Sequence, residues 1–182
     1  MKTVVPASIS QPPGWSDISR LLKAHGAELY ALFGGAIRDT DLGVPVNDYD
    51  VRVWMNLDDS LRFLNSLKQS VNIRETPSAG TGRIRYCFIW NGYAVDLSIR
   101  PIPLDCSSAL EVVAIERAGD SDAGLCSVAM DPNGQGFATT EYLVDKAEKT
   151  ITMYPGIDSG RLEAYSSRMQ EKFPEHTVIW RK

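Results

Sequence analysis

Apolar residues recur at helical spacing in several segments of the chain. The first predicted helix spans 15–27, with Ser16 as its N-cap and Gly26 at its end. A second amphipathic helix spans 59–69, with Asp58 as its N-cap and Leu61 in its buried stripe. Shorter or less regular segments extend the helix prediction to 35–42, 107–118, 141–149 and 158–172.

Two other segments carry clear strand signals. Polar and apolar residues alternate over 49–54, which places Asp50 and Arg52 on one face of a predicted strand. Asn91-Gly92 is the strongest hairpin signal and predicts strands at 83–90 and 93–100. Further strands are predicted at 28–33, 71–75 and 150–153. The pattern predicts an α+β fold, a small mixed sheet with helices packed on one face and a short helical C-terminal appendage.

The length of 182 residues fits one ordinary domain. We expect a flexible lead-in over 1–14, a main domain over 15–155 and a C-terminal helix and tail over 156–182. The lead-in is interrupted by prolines and lacks the apolar stretch of a signal peptide. No apolar run approaches the roughly 20 residues that cross a bilayer, so we expect no membrane partner.

Composition narrows the kind of protein further. The formal net charge is −4, whereas a protein that binds long nucleic acid unaided usually has a basic face. Three widely spaced cysteines, Cys87, Cys106 and Cys126, indicate reduced thiols and a cytoplasmic location. The two histidines, His25 and His176, are expected to be solvated rather than catalytic.

A glycine pair comes directly after the predicted strand at 28–33. Gly34 and Gly35 let backbone amides approach a phosphate closely, because neither residue has a side chain. Arg38 lies just inside the next helix, where its guanidinium can form a forked contact with phosphate. By itself such a pair is an ordinary tight turn between a strand and a helix. The glycine pair indicates a phosphate site only in combination with the acidic residues further along the chain.

Three aspartates come after the glycine pair in a characteristic order. Asp48 and Asp50 are two residues apart, so they share a strand face and lie about 6.6 Å apart along it. This spacing can hold two Mg²⁺ ions about 3.5–4 Å apart. Asp96 interrupts an apolar stretch, where an acid is costly unless it is paired or bound to metal. Alone, each is also typical of a surface turn or a polar strand face; together they favour nucleotide chemistry.

The order Gly34-Gly35, Arg38-Asp39, Asp48-x-Asp50 and then Asp96 resembles the DNA polymerase β-type nucleotidyltransferase superfamily. Within it, the chain looks most like the head domain of tRNA CCA-adding enzymes and bacterial poly(A) polymerases. The resemblance covers residues 29–173 and is strongest in its first third. It implies that 15–155 is a nucleotidyltransferase head domain and that 156–182 begins with a neck-like helix.

The resemblance also implies roles for individual residues. Asp48, Asp50 and Asp96 would be catalytic and would bind two Mg²⁺ or Mn²⁺ ions, with an NTP as substrate. Asp39 would orient the glycine turn rather than contact substrate. The residues implied in nucleotide binding are Gly34, Gly35, Arg38, Asp122, Asp158 and Arg161.

The sequence departs from the family pattern in three places. Asp120 and Ser121 stand where the family has arginines before Asp122, and Cys126 stands where it has asparagine. The sequence ends at Lys182, where the family continues into body and tail domains that hold tRNA. Because of these departures, the function of building tRNA ends is not carried over.

Two functions remain open from the sequence. The first is a metal-dependent transferase that moves a nucleoside monophosphate from an NTP to an acceptor hydroxyl, with pyrophosphate leaving. The acceptor would be an RNA 3′ end, a small molecule or a protein, with a protein partner as a possible source of acceptor binding. The second is a module that binds NTP and metal without turnover of its own and acts in a larger assembly.

Overall fold

The computed structural model describes residues 3–77, 84–103, 123–154 and 159–181, with only the backbone described for 159–161. Ten strands lie in these ranges: β1 (Val4–Ala7), β2 (Leu29–Phe33), β3 (Tyr49–Trp54), β4 (Arg74–Pro77), β5 (Ile84–Trp90), β6 (Tyr93–Arg100), β7 (Val128–Met130), β8 (Gly136–Thr139), β9 (Thr150–Met153) and β10 (Thr177–Trp180). Five α-helices accompany them: α1 (Trp15–Ala24), α2 (Gly35–Asp41), α3 (Leu57–Leu67), α4 (Thr140–Glu148) and α5 (Ser159–Lys172). A 3-10 helix spans Gly124–Cys126.

Eight of the strands form one sheet, in the order β1-β8-β7-β2-β3-β6-β5-β4. Neighbouring strands run antiparallel except β3 and β6, which are parallel. The α+β class and the mixed sheet are therefore confirmed, although the sheet is larger than the small one predicted. The other two strands, β9 and β10, pair in parallel as a separate two-stranded sheet.

The main hydrophobic core lies on one face of the large sheet. Ile18 of α1 and Phe63 of α3 are buried there, together with Val51 of β3 and Val95 of β6. Because alternate residues of a strand point to opposite faces, Asp50 and Asp96 lie on the other face. The predicted separation of helices and carboxylates onto opposite faces is confirmed for these elements.

The hairpin between β5 and β6 forms as predicted. Asn91 and Gly92 have φ angles of 49° and 85°, the left-handed values that a two-residue type I′ turn requires. The resulting register places Arg85 opposite Ser98 and Cys87 opposite Asp96.

Two predicted N-caps are wrong. Helix α3 is capped by Asn56, whose side chain accepts a hydrogen bond from the Asp59 amide at 2.8 Å. Asp58 is instead in the first turn, where an acid is also favourable because of the helix dipole. Leu61, predicted to be buried, is 56% exposed. Helix α1 begins at Trp15 as predicted, but its N-cap is Gly14 rather than Ser16, and it ends at Ala24 rather than at 27.

The lead-in predicted to be flexible contains strand β1. Its four residues pair antiparallel with β8, from Val4 opposite Thr139 to Ala7 opposite Gly136. Pro6 is compatible with this position because β1 is an edge strand and needs hydrogen bonds on one side only. The pairing joins residues about 130 positions apart, which a local pattern cannot anticipate.

The C-terminal region also differs from the prediction. His176 was expected to be solvated but is buried, and its ring packs at 5.4 Å from that of Phe173. Strand β10 comes directly after it and was not predicted, whereas β4 begins three residues later than the predicted strand over 71–75. The helix predicted over 107–118 lies outside the described residues. No helix in the described ranges is long and apolar enough to cross a membrane.

Candidate active site

The glycine pair forms the turn between β2 and α2. Gly34 has φ 62° and ψ −112°, a conformation that residues with a side chain rarely adopt. A methyl group there would still be 3.8 Å from the nearest atom, the Cys126 carbonyl oxygen, so backbone conformation rather than space requires glycine. The Gly34 amide donates to the Val128 carbonyl at 3.0 Å. A phosphate at this turn would therefore have to use the later amides of the turn, beginning with Gly35.

The sheet brings two of the three predicted carboxylates side by side. Asp50 of β3 lies directly opposite Asp96 of the parallel strand β6. Neighbouring strands are about 4.8 Å apart, so the two side chains leave the same face of the sheet from adjacent positions. Asp50 is also opposite Phe33, the last residue before the glycine turn. The carboxylate pair and the glycine turn are thus adjacent in the sheet.

Asp48 precedes β3 and is exposed. The negative charge of Asp48 acts on Asp96, whose pKa is raised above the ordinary value. Partial burial is the main cause, and the negative charge of Asp48 adds to it, while Arg85 acts in the opposite direction. Asp48 is therefore close enough to Asp96 for the two charges to interact.

The Asp96 carboxylate already has a cationic partner. Arg85 Nη1 lies 2.6 Å from Asp96 Oδ2, and this ion pair was not predicted. Throughout the described ranges, no three His, Cys, Asp or Glu side chains are grouped as a set of metal ligands. The three-carboxylate site consequently stays a prediction, although its donors suit Mg²⁺, which prefers carboxylate oxygens.

Arg38 is buried beneath the glycine turn rather than extended toward solvent. Its Nε and Nη2 atoms lie 2.8 and 2.6 Å from Asp39 Oδ1, and the arginine side chain is only 7% exposed. Lys172, near the end of α5, contacts the other Asp39 oxygen. Asp39 therefore neutralises two cations from different helices and links α2 to α5, while its predicted role in orienting the glycine turn stays a prediction.

The remaining contacts of Arg38 are to sulfur and aromatic groups. Its Nη1 lies 2.8 Å from Cys126 Sγ and 3.2 Å from Met169 Sδ, and Phe173 packs against the guanidinium. The Cys126 thiol in turn is 2.8 Å from the hydroxyl of Tyr165, whose pKa is raised by burial. Burial alone would lower the pKa of Arg38, but the negative potential of Cys126 and Asp39 raises it. Arg38 is thus permanently charged.

The side chains of three further predicted nucleotide-binding residues are not described. Asp122 and Asp158 lie outside the described residues, and Arg161 belongs to α5 with its side chain not described. Lys172 and Arg85 were missed as partners of predicted site residues. The sequence held a signal for Arg85, because the two-residue Asn91-Gly92 turn fixes the register that makes it a diagonal neighbour of Asp96.

Known proteins were compared with the chain at the level of sequence and of structure. No family model and no curated protein matches it by sequence. Solved structures do match. A CCA-adding enzyme with ATP aligns with a TM-score of 0.64 and 19% identity, over 98% of this chain and 43% of that one. A Thermotoga maritima CCA-adding enzyme complexed with tRNA aligns with a TM-score of 0.62 and 17% identity, over 97% and 44%.

A third match is a tRNA nucleotidyltransferase complexed with a primer tRNA and an incoming ATP analogue. Its TM-score is 0.57 and its identity 18%, over 89% of this chain and 46% of that one. The chain therefore shares the fold of the nucleotidyltransferase head domain of CCA-adding enzymes. It spans less than half the length of these structures, and identities below 20% establish the fold alone.

Proposed function

We propose that this chain is a nucleotidyltransferase that moves a nucleoside monophosphate from an NTP to an acceptor hydroxyl. The observation that carries the proposal is the position of Asp50 opposite Asp96, beside the glycine turn at the end of β2. The same fold occurs in CCA-adding enzymes whose structures contain ATP or CTP, which supports this class of reaction.

The carboxylates fit divalent cations by their chemistry. Asp48, Asp50 and Asp96 present hard oxygen donors, and burial together with the charge of Asp48 makes a lone carboxylate at Asp96 unfavourable. In this proposal the three aspartates hold two Mg²⁺ or Mn²⁺ ions. The bound ions supply Lewis-acid stabilisation of the charge that develops on the phosphates.

The reaction itself needs proton removal and a leaving group. The acceptor oxygen forms a bond to the α-phosphorus as the bond between that phosphorus and the bridging oxygen to the β-phosphate breaks, so pyrophosphate leaves. Asp96 is the residue proposed to accept the proton of the hydroxyl.

The glycine turn is the proposed triphosphate site, with the amides of Gly35 and the next residues of α2 as donors. Arg38 would support this turn from beneath, since its guanidinium is buried and bonded to Asp39. A direct contact between Arg38 and the triphosphate, as the family resemblance implies, would require breaking that ion pair. Asp122, Asp158 and Arg161 remain candidates for nucleotide binding.

An RNA 3′ end is the first candidate for the acceptor. Structures that share the fold include complexes with tRNA. The net charge of −4 gives this chain little general attraction for RNA, so a protein partner that supplies acceptor binding is part of the proposal. A small molecule or a protein acceptor would fit the same chemistry.

The test is to incubate the protein with each α-labelled NTP, Mg²⁺ or Mn²⁺ and a cell lysate, and to identify what becomes labelled. Wild type should label one class of acceptor. Asp50→Ala and Asp48→Ala should abolish labelling while the protein stays folded. Asp17→Ala is the matched control, since Asp17 is a half-buried aspartate in α1 that forms a surface ion pair with Arg20.

Two outcomes would contradict the proposal. If wild type shows a Mg²⁺-dependent thermal shift and binds NTP but labels nothing, the chain is a binding module without turnover. If Asp50→Ala unfolds the protein and Mg²⁺ gives no shift with wild type, the carboxylates have a structural role.

A further inference from the structure

Arg85 is a charged residue within the candidate site that the proposed reaction does not use. It lies on β5 opposite Ser98, two pairs along from Cys87 and Asp96 and on the same face of the sheet. From there its guanidinium reaches diagonally to Asp96, with 2.6 Å between Nη1 and Oδ2. The arginine side chain is 45% exposed, whereas that of Asp96 is 16% exposed. The pair is therefore open to solvent on the arginine side only.

A second arginine lies in the same cross-strand row. Arg52 of β3 is directly opposite Ser98 of β6, which is directly opposite Arg85 of β5. Paired residues share a sheet face, so Arg52, Ser98 and Arg85 form a row next to the row of Asp50 and Asp96. Of the two arginines in this row, Arg52 packs its guanidinium against the Phe33 ring, 5.0 Å from the ring centre, and Arg85 reaches the carboxylates.

A metal ion and Arg85 cannot both use the same Asp96 oxygen. The guanidinium occupies that oxygen in the structure, and a divalent cation there would repel it. Loading of the carboxylates with metal would therefore release the guanidinium of Arg85, whose side chain is already partly exposed to solvent. Arginine has planar, paired donors that match phosphate oxygens.

We propose that Arg85 is a phosphate-binding residue whose availability is coupled to metal: it pairs with Asp96 without metal and binds a substrate phosphate when metal is present. The proposal rests on the proposed function, because it assumes that the carboxylates hold the cation. The phosphate belongs either to the NTP or to the backbone of a nucleic-acid acceptor. Arg85 then has two roles. It contacts substrate when metal is bound, and it neutralises the carboxylates when metal is absent.

The first experiment measures Mn²⁺ binding by electron paramagnetic resonance of the free ion, without nucleotide. Arg85→Ala removes the competitor for Asp96 and should bind Mn²⁺ about two- to fivefold more tightly than wild type, the range expected for a partly exposed ion pair. Arg74→Ala is the matched control, because Arg74 is an exposed arginine of the next strand, opposite Cys87. It makes the same change in net charge and should alter the affinity by less than about 1.5-fold.

The second experiment measures phosphate binding at saturating Mn²⁺. Affinities of wild type, Arg85→Ala and Arg85→Lys are compared for a non-hydrolysable ATP analogue and for a short single-stranded RNA. Arg85→Ala should weaken one of the two ligands by about tenfold or more, as expected for a lost hydrogen bond between charged groups. The ligand that is weakened identifies the source of the phosphate. Arg85→Lys should restore only part of the affinity, since lysine lacks the forked donors.

The outcomes separate this inference from the function on which it rests. If wild type binds Mn²⁺ and Arg85→Ala matches Arg74→Ala in both experiments, the ion pair is only a structural link within the hairpin. Tighter Mn²⁺ binding without loss of either phosphate ligand would also overturn the proposed contact. If wild type binds no Mn²⁺, the metal site and the coupling both fail.

Discussion

Asp39 is the position at which a single change of charge should have the largest effect on stability. It is 3% exposed and is bonded to Arg38, which is 6% exposed, and to Lys172. Asp39→Asn keeps the size of the side chain but removes its charge. The guanidinium then stays in the interior without a counterion, and moving it to water would require α2 and α5 to separate.

The loss of unfolding free energy in Asp39→Asn depends on how deeply each ion pair is buried. Breaking a buried ion pair by removing one partner costs about 3–5 kcal/mol, because the remaining charge is left uncompensated. Lys172 is 24% exposed, so water can solvate it and its contribution is small. For a chain of this size, about 3–5 kcal/mol lowers the midpoint of thermal unfolding by roughly 6–20 °C.

The assay is urea denaturation of wild type, Asp39→Asn and Asp17→Asn, monitored by fluorescence. Asp17→Asn removes the acid of an exposed pair with Arg20 and should cost less than about 1 kcal/mol. Replacing Arg38 as well, in Arg38→Met/Asp39→Asn, should cost less than the sum of the two single changes, since no charge is then stranded. A loss for Asp39→Asn no larger than that for Asp17→Asn would refute the reasoning.

Two further predictions concern acid stability and RNA. Burial is the main cause that lowers the pKa of His176, and within the described part of the chain neither ring nitrogen has a hydrogen-bond partner. The unfolded chain therefore takes up a proton below pH about 6.5 that the folded protein resists, so the free energy of unfolding should fall as pH decreases below that value and His176→Phe should flatten the dependence measured by urea titration. With a net charge of −4, the purified protein should bind naked single-stranded RNA with a Kd on the order of 10⁻⁴ M or weaker at physiological salt, and robust extension of tRNA lacking its 3′ end in a gel assay would contradict this.

The local pattern of polar and apolar residues was sufficient to predict the strands that carry the candidate site. The alternation over 49–54 gave β3 with its correct bounds and faces, and Asn91-Gly92 gave the hairpin and its register. Edge strand β1 could not be predicted from local pattern, because it is held by pairing with β8, about 130 residues further along the chain. The start of α3 was misplaced because Asn56 and Asp58 are both acceptable caps, and only the Asn56 hydrogen bond distinguishes them.

The candidate site, like the fold, was predictable only where local sequence determines it. The neighbouring positions of Asp50 and Asp96 were predicted from spacing and a family resemblance, but their parallel pairing depends on how β3 and β6 meet in the sheet. Arg38 was expected to face a phosphate, yet Cys126 and Met169, which come from distant segments, contact its guanidinium and hold it in the interior. Sequence spacing identifies which charges can meet locally. It does not show which of them the tertiary fold neutralises.

The most direct test of the central claim compares two labels on the same nucleotide. Wild type, Mg²⁺ and the acceptor identified from lysate are incubated with NTP labelled at either the α- or the γ-phosphate. Attack at the α-phosphorus predicts that the α-label enters the acceptor, that the γ-label appears in pyrophosphate, and that Asp50→Ala gives neither. Transfer of the γ-label to the acceptor, or equal α-labelling by wild type and Asp50→Ala, would contradict the account.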